Sequence, residues 1–283
     1  MKKVIALDIG GTNTRVALID EQYHILSEFI RPTARGSTDA FFENVALTID
    51  GCVKDFTDVT ALAMGVPGRV RYDGFIAALP NVHIENIPLA EFLSQRYRLP
   101  AYVLNDAEVA ALAEANLGAY RNAKSLYFVT ISTGFGGAMT ENGQLVNSSY
   151  EVGHTMFEYK GEIHEFEHLA SGTGLLKLAA MNGLSIDNAI EFFALVKNKH
   201  PLAITVYHDW ISLLAQWFTM NQFNFEPEVF TLSGGVMKSA PLFLEDLKKA
   251  VPHCDLEICS FGQEAGLVGA AVFGFQKEKE QLR

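Results

Sequence analysis

Asp8 ends the apolar run Val4–Leu7 and leads into Ile9-Gly10-Gly11-Thr12. A carboxylate, two glycines and a hydroxyl at the end of a strand are the materials of a phosphate loop. Glycine removes the Cβ that keeps an anion away from backbone N–H groups. A second loop of this kind, Ser132-Thr133-Gly134-Phe135-Gly136-Gly137, follows the apolar segment 126–131. The two start 132 − 8 = 124 residues apart, near half of the 283-residue chain. Singly, each reads equally well as a hairpin turn; repeated, they suit two hairpins clamping one triphosphate. The P-loop pattern GxxxxGK(S/T) is absent, since Gly235-Val236-Met237-Lys238-Ser239 does not satisfy it. GxGxxG between a strand and a helix is absent too, and both loops lead into strands, so neither nucleotide fold is supported.

Asp106 follows an apolar segment, 101–104, and precedes an Ala-rich stretch, 107–117. That is the carboxyl edge of a strand, where ligands bind in open α/β sheets. It is equally a helix-capping position, with Asn105 serving the turn. A polar cluster holds Glu151, His154 and Glu167. Each carboxylate accepts two O–H bonds, which suits vicinal diols, although a solvated acidic loop is the plainer reading of the residues alone. His164-Glu165-Phe166-Glu167-His168 also fits HExxH, in which two histidines on one helical face bind zinc beside a general base. Five residues with three fixed positions recur by chance, and no third-ligand pattern follows.

The elements that must carry these residues read as strand 4–7, Gly loop, strand 15–19 and strand 24–30, then a helix over 38–55 capped by Ser37 or Thr38. A strand at 61–66 ends at Pro67-Gly68, a helix starts near Pro88 in its first turn and runs to Tyr97, and a helix covers Ala107–Leu117. The pattern restarts with strand 126–131, a second short strand and an Asn142-Gly143 turn. Residues 151–172 read as loop. Helices are expected over 173–182, 186–197 and 203–222, strands over 229–232 and 255–259, and an Ala/Gly-rich helix opening at Gln263 with a frayed tail, 277–283. Val206, Trp210, Leu213, Leu214, Trp217 and Phe218 form an apolar stripe, read as core or as a dimer face.

Acids outnumber bases 33 to 22, for a net charge of −11, with 49% hydrophobic residues. That argues against nucleic acid and anionic membrane as partners and provides for a sizeable core. Three cysteines, Cys52, Cys254 and Cys259, include no CxxC pair, which favours a reducing cytoplasm over a disulfide framework. The apolar run after Lys2-Lys3 stops at Asp8, too short for a signal peptide. No run of about 18 apolar residues spans a bilayer.

Taken together, LDIGGTNTRVAL, GVPG (65–68), LPN (79–81), LNDAEVAALAE (104–114), STGFGG (132–137), EVGH (151–154), EHLASG (167–172), LSGG (232–235) and QEAGLVGAA (263–271) resemble the ROK family of repressors and sugar kinases nearly end to end. The resemblance implies an α/β, two-domain actin-like ATPase (ribonuclease H-like) sugar kinase fold with a cleft between domains. Residues 1–119 would form an N-terminal α/β domain, completed by a C-terminal helix at about 270–283, and residues 120–269 the C-terminal domain. It implies ATP and Mg²⁺ as cofactors, a sugar as substrate and a homodimer as assembly. Asp106 would be the general base, and Asp8 would sit near Mg²⁺, indirectly or through water. Gly10, Gly11, Thr12, Thr133, Gly134 and Gly136 would line the phosphates, with Gly234 and Gly235 near the adenosine. Asn81, Asn105, Asp106, Glu151, His154 and Glu167 would meet the sugar.

The sequence departs from the family at one place. Many relatives carry CxCGxxGCxE, whose three cysteines and the His of GH bind a structural zinc; here Gly161–Glu167 stands instead, with no cysteine between 52 and 254. Structural zinc is therefore not expected, and with it goes the metal that orients His154 in those relatives. Candidate sugars are glucose, N-acetylmannosamine, fructose, mannose and β-glucosides; Ser132 resembles the STG of N-acetylmannosamine kinases. The alternative is a sugar-binding sensor of the same fold, which would bind sugar without releasing ADP. A repressor is disfavoured, because Asp8 leaves no room for a DNA-binding domain ahead of the first loop.

Overall fold

In the computed structural model, which describes residues 1–71, 73–146, 151–262 and 264–281, the run KVIALDI forms strand Lys3–Ile9. Its residues alternate between two cores. Ile5, Leu7 and Ile9 join Phe41, Val45, Ile49, Leu89 and Leu93 on one face. Val4 and Ala6 join Ala61, Ala63, Val109, Leu267, Ala270 and Phe275 on the other. A strand buried on both faces is apolar throughout, which is why this segment reads as a continuous run.

The sheet built on it has the order Ile25–Pro32, Asn13–Asp20, Lys3–Ile9, Val59–Val66, Ala101–Asn105. The first three strands are antiparallel and joined by hairpins; the last two are parallel to Lys3–Ile9. Helices Thr38–Cys52 and Leu89–Tyr97 cover one face, and helices Asp106–Leu117 and Ala265–Gln281 the other. Small residues permit the second packing: a Cβ on Gly274 would come within 2.8 Å of Val4, and one on Gly269 would run into the Val109 carbonyl. Strands Arg69–Val70, Ile76–Leu79 and Ile84–Ile87 make a small separate sheet.

The chain divides into two compact units, residues 1–122, 143–149 and 261–283, and residues 123–142 and 150–260. The return to the first unit thus starts at 261, ahead of the expected 270, because the closing helix already runs from Ala265. In the second unit the strand–loop–strand pattern repeats as Ser125–Ile131 and Phe135–Glu141. Its sheet includes, in order, Phe135–Glu141, Ser125–Ile131, Val229–Ser233 and Leu256–Ile258. Helix Pro201–Phe225 starts with Pro at its first position, where the missing N–H costs nothing. Its stripe, Val206, Trp210, Leu213, Leu214, Trp217 and Phe218, is at most 3% exposed. These residues are core within the unit and do not form a dimer face.

Several local expectations change. Residues 151–172 are not a loop: a 3₁₀ turn Val152–His154, a hairpin Met156–Tyr159/Glu162–Glu165 and helices Glu167–Ala170 and Gly172–Met181 fill them. Pro88 is the residue before helix Leu89–Tyr97 and not its first turn. The C-terminal segment stays helical to Gln281 rather than fraying from 277, with Lys2 bonded to Glu278. The expected helix start at Gln263 and the end of the tail, 282–283, lie outside the described residues. Among the described residues no helix is long and apolar enough to cross a membrane.

Candidate active site

Asp8 sits at the carboxyl end of its strand, opposite Arg15 across the hairpin. The Arg15 guanidinium lies 3.9 Å from its carboxylate and 2.7 Å from Glu28. Burial pushes the Asp8 pKa up, and the Arg15 charge pulls part of that back. The loop after it is closed by Gly10 N–H donating to Asn13 O at 2.8 Å. Thr33 pins it further: its hydroxyl donates to Gly10 O at 2.7 Å and its N–H to Thr12 O at 2.9 Å. Gly10 and Gly11 are half-buried and Thr12 is exposed. Asn81, exposed in the 3₁₀ turn Pro80–Val82, lies directly against this loop. A Cβ on Gly11 would stand 2.6 Å from Asn81 Cβ, so glycine is required by close approach.

Asp8 pairs with Gly65, Gly65 with Leu104, and Val66 with Asn105. Asp8 and the Asn105-Asp106 pair therefore share the carboxyl edge of the parallel strands, two strand spacings or about 10 Å apart. The capping question is resolved by geometry. Asn105 is the N-cap of helix Asp106–Leu117, accepting from Ala107 N–H, and Glu108 returns to the Asn105 N–H at 2.8 Å to complete a capping box. Asp106 is the exposed first helical residue, its Oδ1 also 2.8 Å from Ala107 N. Asn105 Nδ2 donates to Gly68 O at 2.9 Å, tying the GVPG turn to the same edge. With its oxygen accepting from the Ala107 and Glu108 N–H groups and one amide N–H given to Gly68, Asn105 keeps one N–H for a ligand.

In the second unit, Ser132 N–H donates to Gly134 O at 2.9 Å and closes the second loop. Residues 171–173 hold it: Gly172 N–H donates to Ser132 O at 2.6 Å, and the Thr173 hydroxyl to Thr133 O. Thr133 is exposed and Gly134 half-buried. Gly136 is not in the turn; it lies in the strand opposite Thr130. Glu167 reaches this loop, since a Cβ on Gly134 would stand 3.1 Å from its Oε2, and one on Gly153 would stand 3.3 Å from it. Glu167 and the EVGH turn therefore converge on Gly134. Glu151 is half-buried, its carbonyl accepting from His154 N–H at 3.0 Å. Gly234 adopts φ 97° at the end of strand Val229–Ser233, and a Cβ there would strike the Ile131 backbone. Gly234 and Gly235 thus lie beside the strand end that feeds the loop, at the carboxyl edge of two parallel strands.

Two metals call for a test of the residues. Magnesium prefers oxygen donors, and the Asp8 carboxylate at the loop edge fits it. The thiolate zinc of the resemblance does not fit. The cysteines are at 52, 254 and 259, and the donors gathered near His154 are Glu165 and Glu167, within 4.8 Å of one another and of the imidazole. Nor do the HExxH residues share a helix. His164 and Glu165 end a strand, and Glu167 and His168 begin a short helix.

Three residues at the site escaped the sequence reading. Gly266, at the start of helix Ala265–Gln281, abuts Asp8: a Cβ there would stand 2.6 Å from Asp8 Cγ. Its only sequence signal is the QEAGLVGAA match. Thr33 and Thr173, which pin the two loops, carry no signal of their own, and Glu165 reads only as the Glu of the HExxH pattern, not as a neighbour of His154.

The ROK family model matches residues 4–277. The chain is 27% identical over 315 residues to a glucokinase of Halalkalibacterium halodurans, covering 97% of this chain and 95% of that protein. It is 28% identical over 295 residues to an N-acetylmannosamine kinase of Escherichia fergusonii, covering 97% and 99%. Among solved structures, a ROK hexokinase from Thermus thermophilus superposes with a TM-score of 0.87 at 26% identity, over 98% of this chain and 99% of that one. The two Gly loops, the strand edges that carry them and this likeness over nearly the whole length agree: the chain belongs to the ROK family, with the actin-like ATPase fold of its sugar kinases.

Proposed function

We propose that this chain is an ATP-dependent sugar kinase that phosphorylates the 6-hydroxyl of a hexose or N-acetylhexosamine, with Asp106 as general base. The observation that carries the reading is the shared strand edge in the first unit. It holds Asp8 beside a glycine hairpin, Asn81 against that hairpin, and Asp106 exposed at a helix start. The family, and relatives that are a glucokinase and an N-acetylmannosamine kinase, support the same chemistry.

In the reaction the sugar 6-oxygen attacks the γ-phosphorus. The new O–P bond forms as the bond to the β,γ-bridging oxygen breaks, ADP leaves, and the hydroxyl proton passes to Asp106. Phosphoryl transfer asks little covalent help of a protein; a base on the nucleophile and positive charge at the phosphates do most of the work. Asp8, through water, would hold the Mg²⁺ that supplies part of that charge. Gly10, Gly11, Thr12, Thr133 and Gly134 would present N–H groups and hydroxyls to the phosphates, with Gly136 just behind them in its strand. Gly234 and Gly235 would admit the adenosine close to the backbone. Asn81, Asn105, Glu151, His154 and Glu167 would bind the hydroxyls.

Glucose, N-acetylmannosamine, fructose, mannose and β-glucosides are the sugars to try, in a cytoplasmic enzyme whose three cysteines form no disulfide and whose expected assembly is a homodimer. ADP release measured over that panel tests the reading. Saturable, sugar-dependent ADP release with one preferred sugar supports it; sugar binding with no ADP release from any sugar favours the sensor and overturns it.

A further inference from the structure

His154 has one ring nitrogen already engaged. Its Nδ1 lies 3.1 Å from Glu165 Oε2. A carboxylate accepts and does not donate, so Nδ1 carries the proton of this bond, and in the neutral ring Nε2 is then a lone pair. The side chain is 56% exposed, so the ring can be reached by a ligand.

The fold enforces this pairing. Hairpin Met156–Tyr159/Glu162–Glu165 turns through Lys160 and Gly161, at φ 53° and 85°, the left-handed pair that two-residue hairpins require. Its register sets Glu165 opposite Met156, two residues beyond His154. The next residue, Phe166, is fully buried; its ring packs on Phe135 at 4.8 Å and Phe157 at 4.7 Å, and its N–H donates to Thr155 O at 2.8 Å. Glu165 is thus carried between an anchored aromatic and a short turn, with His168 3.8 Å from the same oxygen.

We propose that Glu165 is the positioning residue of His154, orienting the ring and fixing its tautomer where the cysteines of the family's zinc motif are lacking. The substitution has a chemical consequence. A metal on one ring nitrogen leaves the other as an N–H donor, whereas Glu165 leaves Nε2 as an acceptor. His154 therefore accepts a hydrogen bond from a sugar hydroxyl rather than donating one. This inference rests on the reading of His154 as a sugar contact.

The test uses the full chain and its best sugar from the panel. Sugar KM, kcat and the two-bond ¹H–¹⁵N imidazole spectrum are measured for wild type, H154A, E165A, E165Q and H154A/E165A, with zinc content and chelator sensitivity alongside. The expected results are an Nδ1–H tautomer in wild type that is lost in E165A, and a sugar KM raised about five- to tenfold in E165A, the worth of one hydrogen bond. kcat stays within about twofold, E165Q, whose amide oxygen still accepts, recovers most of the KM, the double variant is no worse than H154A, and chelators have no effect. If H154A raises the KM and E165A does not, the proposal fails alone. If H154A leaves the KM unchanged, the sugar contact fails and the proposal with it. Stoichiometric zinc that E165A removes also overturns it, since a metal would then do the orienting.

Discussion

Replacing Gly266 by alanine separates the site's function from the protein's stability. The new Cβ would stand 2.6 Å from Asp8 Cγ, and ordinary contact begins at 3.4 Å, so the carboxyl must move by 3.4 − 2.6 = 0.8 Å. Asp8 is a short side chain that can swing aside cheaply, and Gly266 has no positive φ to strain an alanine. Within a helix alanine is favoured over glycine by roughly 0.5–1 kcal/mol, so folding loses little or gains. Function does not escape, because a misplacement of about 1 Å in a positioned group costs on the order of 10²-fold. The expected outcome is kcat/KM for MgATP lowered by about 10–100-fold, with a melting temperature equal to or above that of wild type. Coupled ADP-release kinetics over an MgATP series, beside thermal unfolding, read both quantities. Wild-type kcat/KM in Gly266→Ala would refute the reasoning that the helix start sets the Asp8 carboxylate.

Asp8 itself carries a pH signature. Burial raises its folded-state pKa, so its contribution to stability is complete below the ordinary carboxylate range and is lost as pH rises through the raised value. Asp8→Asn removes that loss. Its melting temperature should exceed that of wild type at pH 7, with the gap closing below about pH 4, while turnover disappears; a gap independent of pH would contradict the assignment. Gly11→Ala should behave unlike Gly266→Ala, because its Cβ meets Asn81 Cβ, close to the backbone, at 2.6 Å. Stability should fall by about 1–3 kcal/mol and the sugar KM rise, as read by urea unfolding and kinetics; unchanged values of both would show that the Pro80–Val82 turn yields freely.

Much of this arrangement was legible in the chain. The two strand–Gly loop–strand segments stand where the apolar runs and turn residues put them, because strands buried on both faces carry an unmistakable pattern. What escaped shares one physical cause, dependence on long-range contact. Hairpin 156–165 reads as a loop because its residues are at most half-buried and show little apolar alternation; only its register reveals Glu165 beside His154. Gly266 matters through Asp8, on the far side of the sequence. Asp106 reads as the cap of a helix over 107–117, yet it is the first helical residue and the cap is its neighbour Asn105, whose side chain also bonds Gly68. Gly136 looked like loop because a Gly-Gly pair in a motif resembles a turn, but the strand starts at Phe135.

The most direct test of the central claim is Asp106→Asn. The change keeps shape and removes the proton acceptor. Sugar binding measured by calorimetry should stay within about threefold of wild type while turnover falls by ~10²–10⁴-fold, the range for loss of a general base. Turnover near that of wild type would contradict the account at its centre.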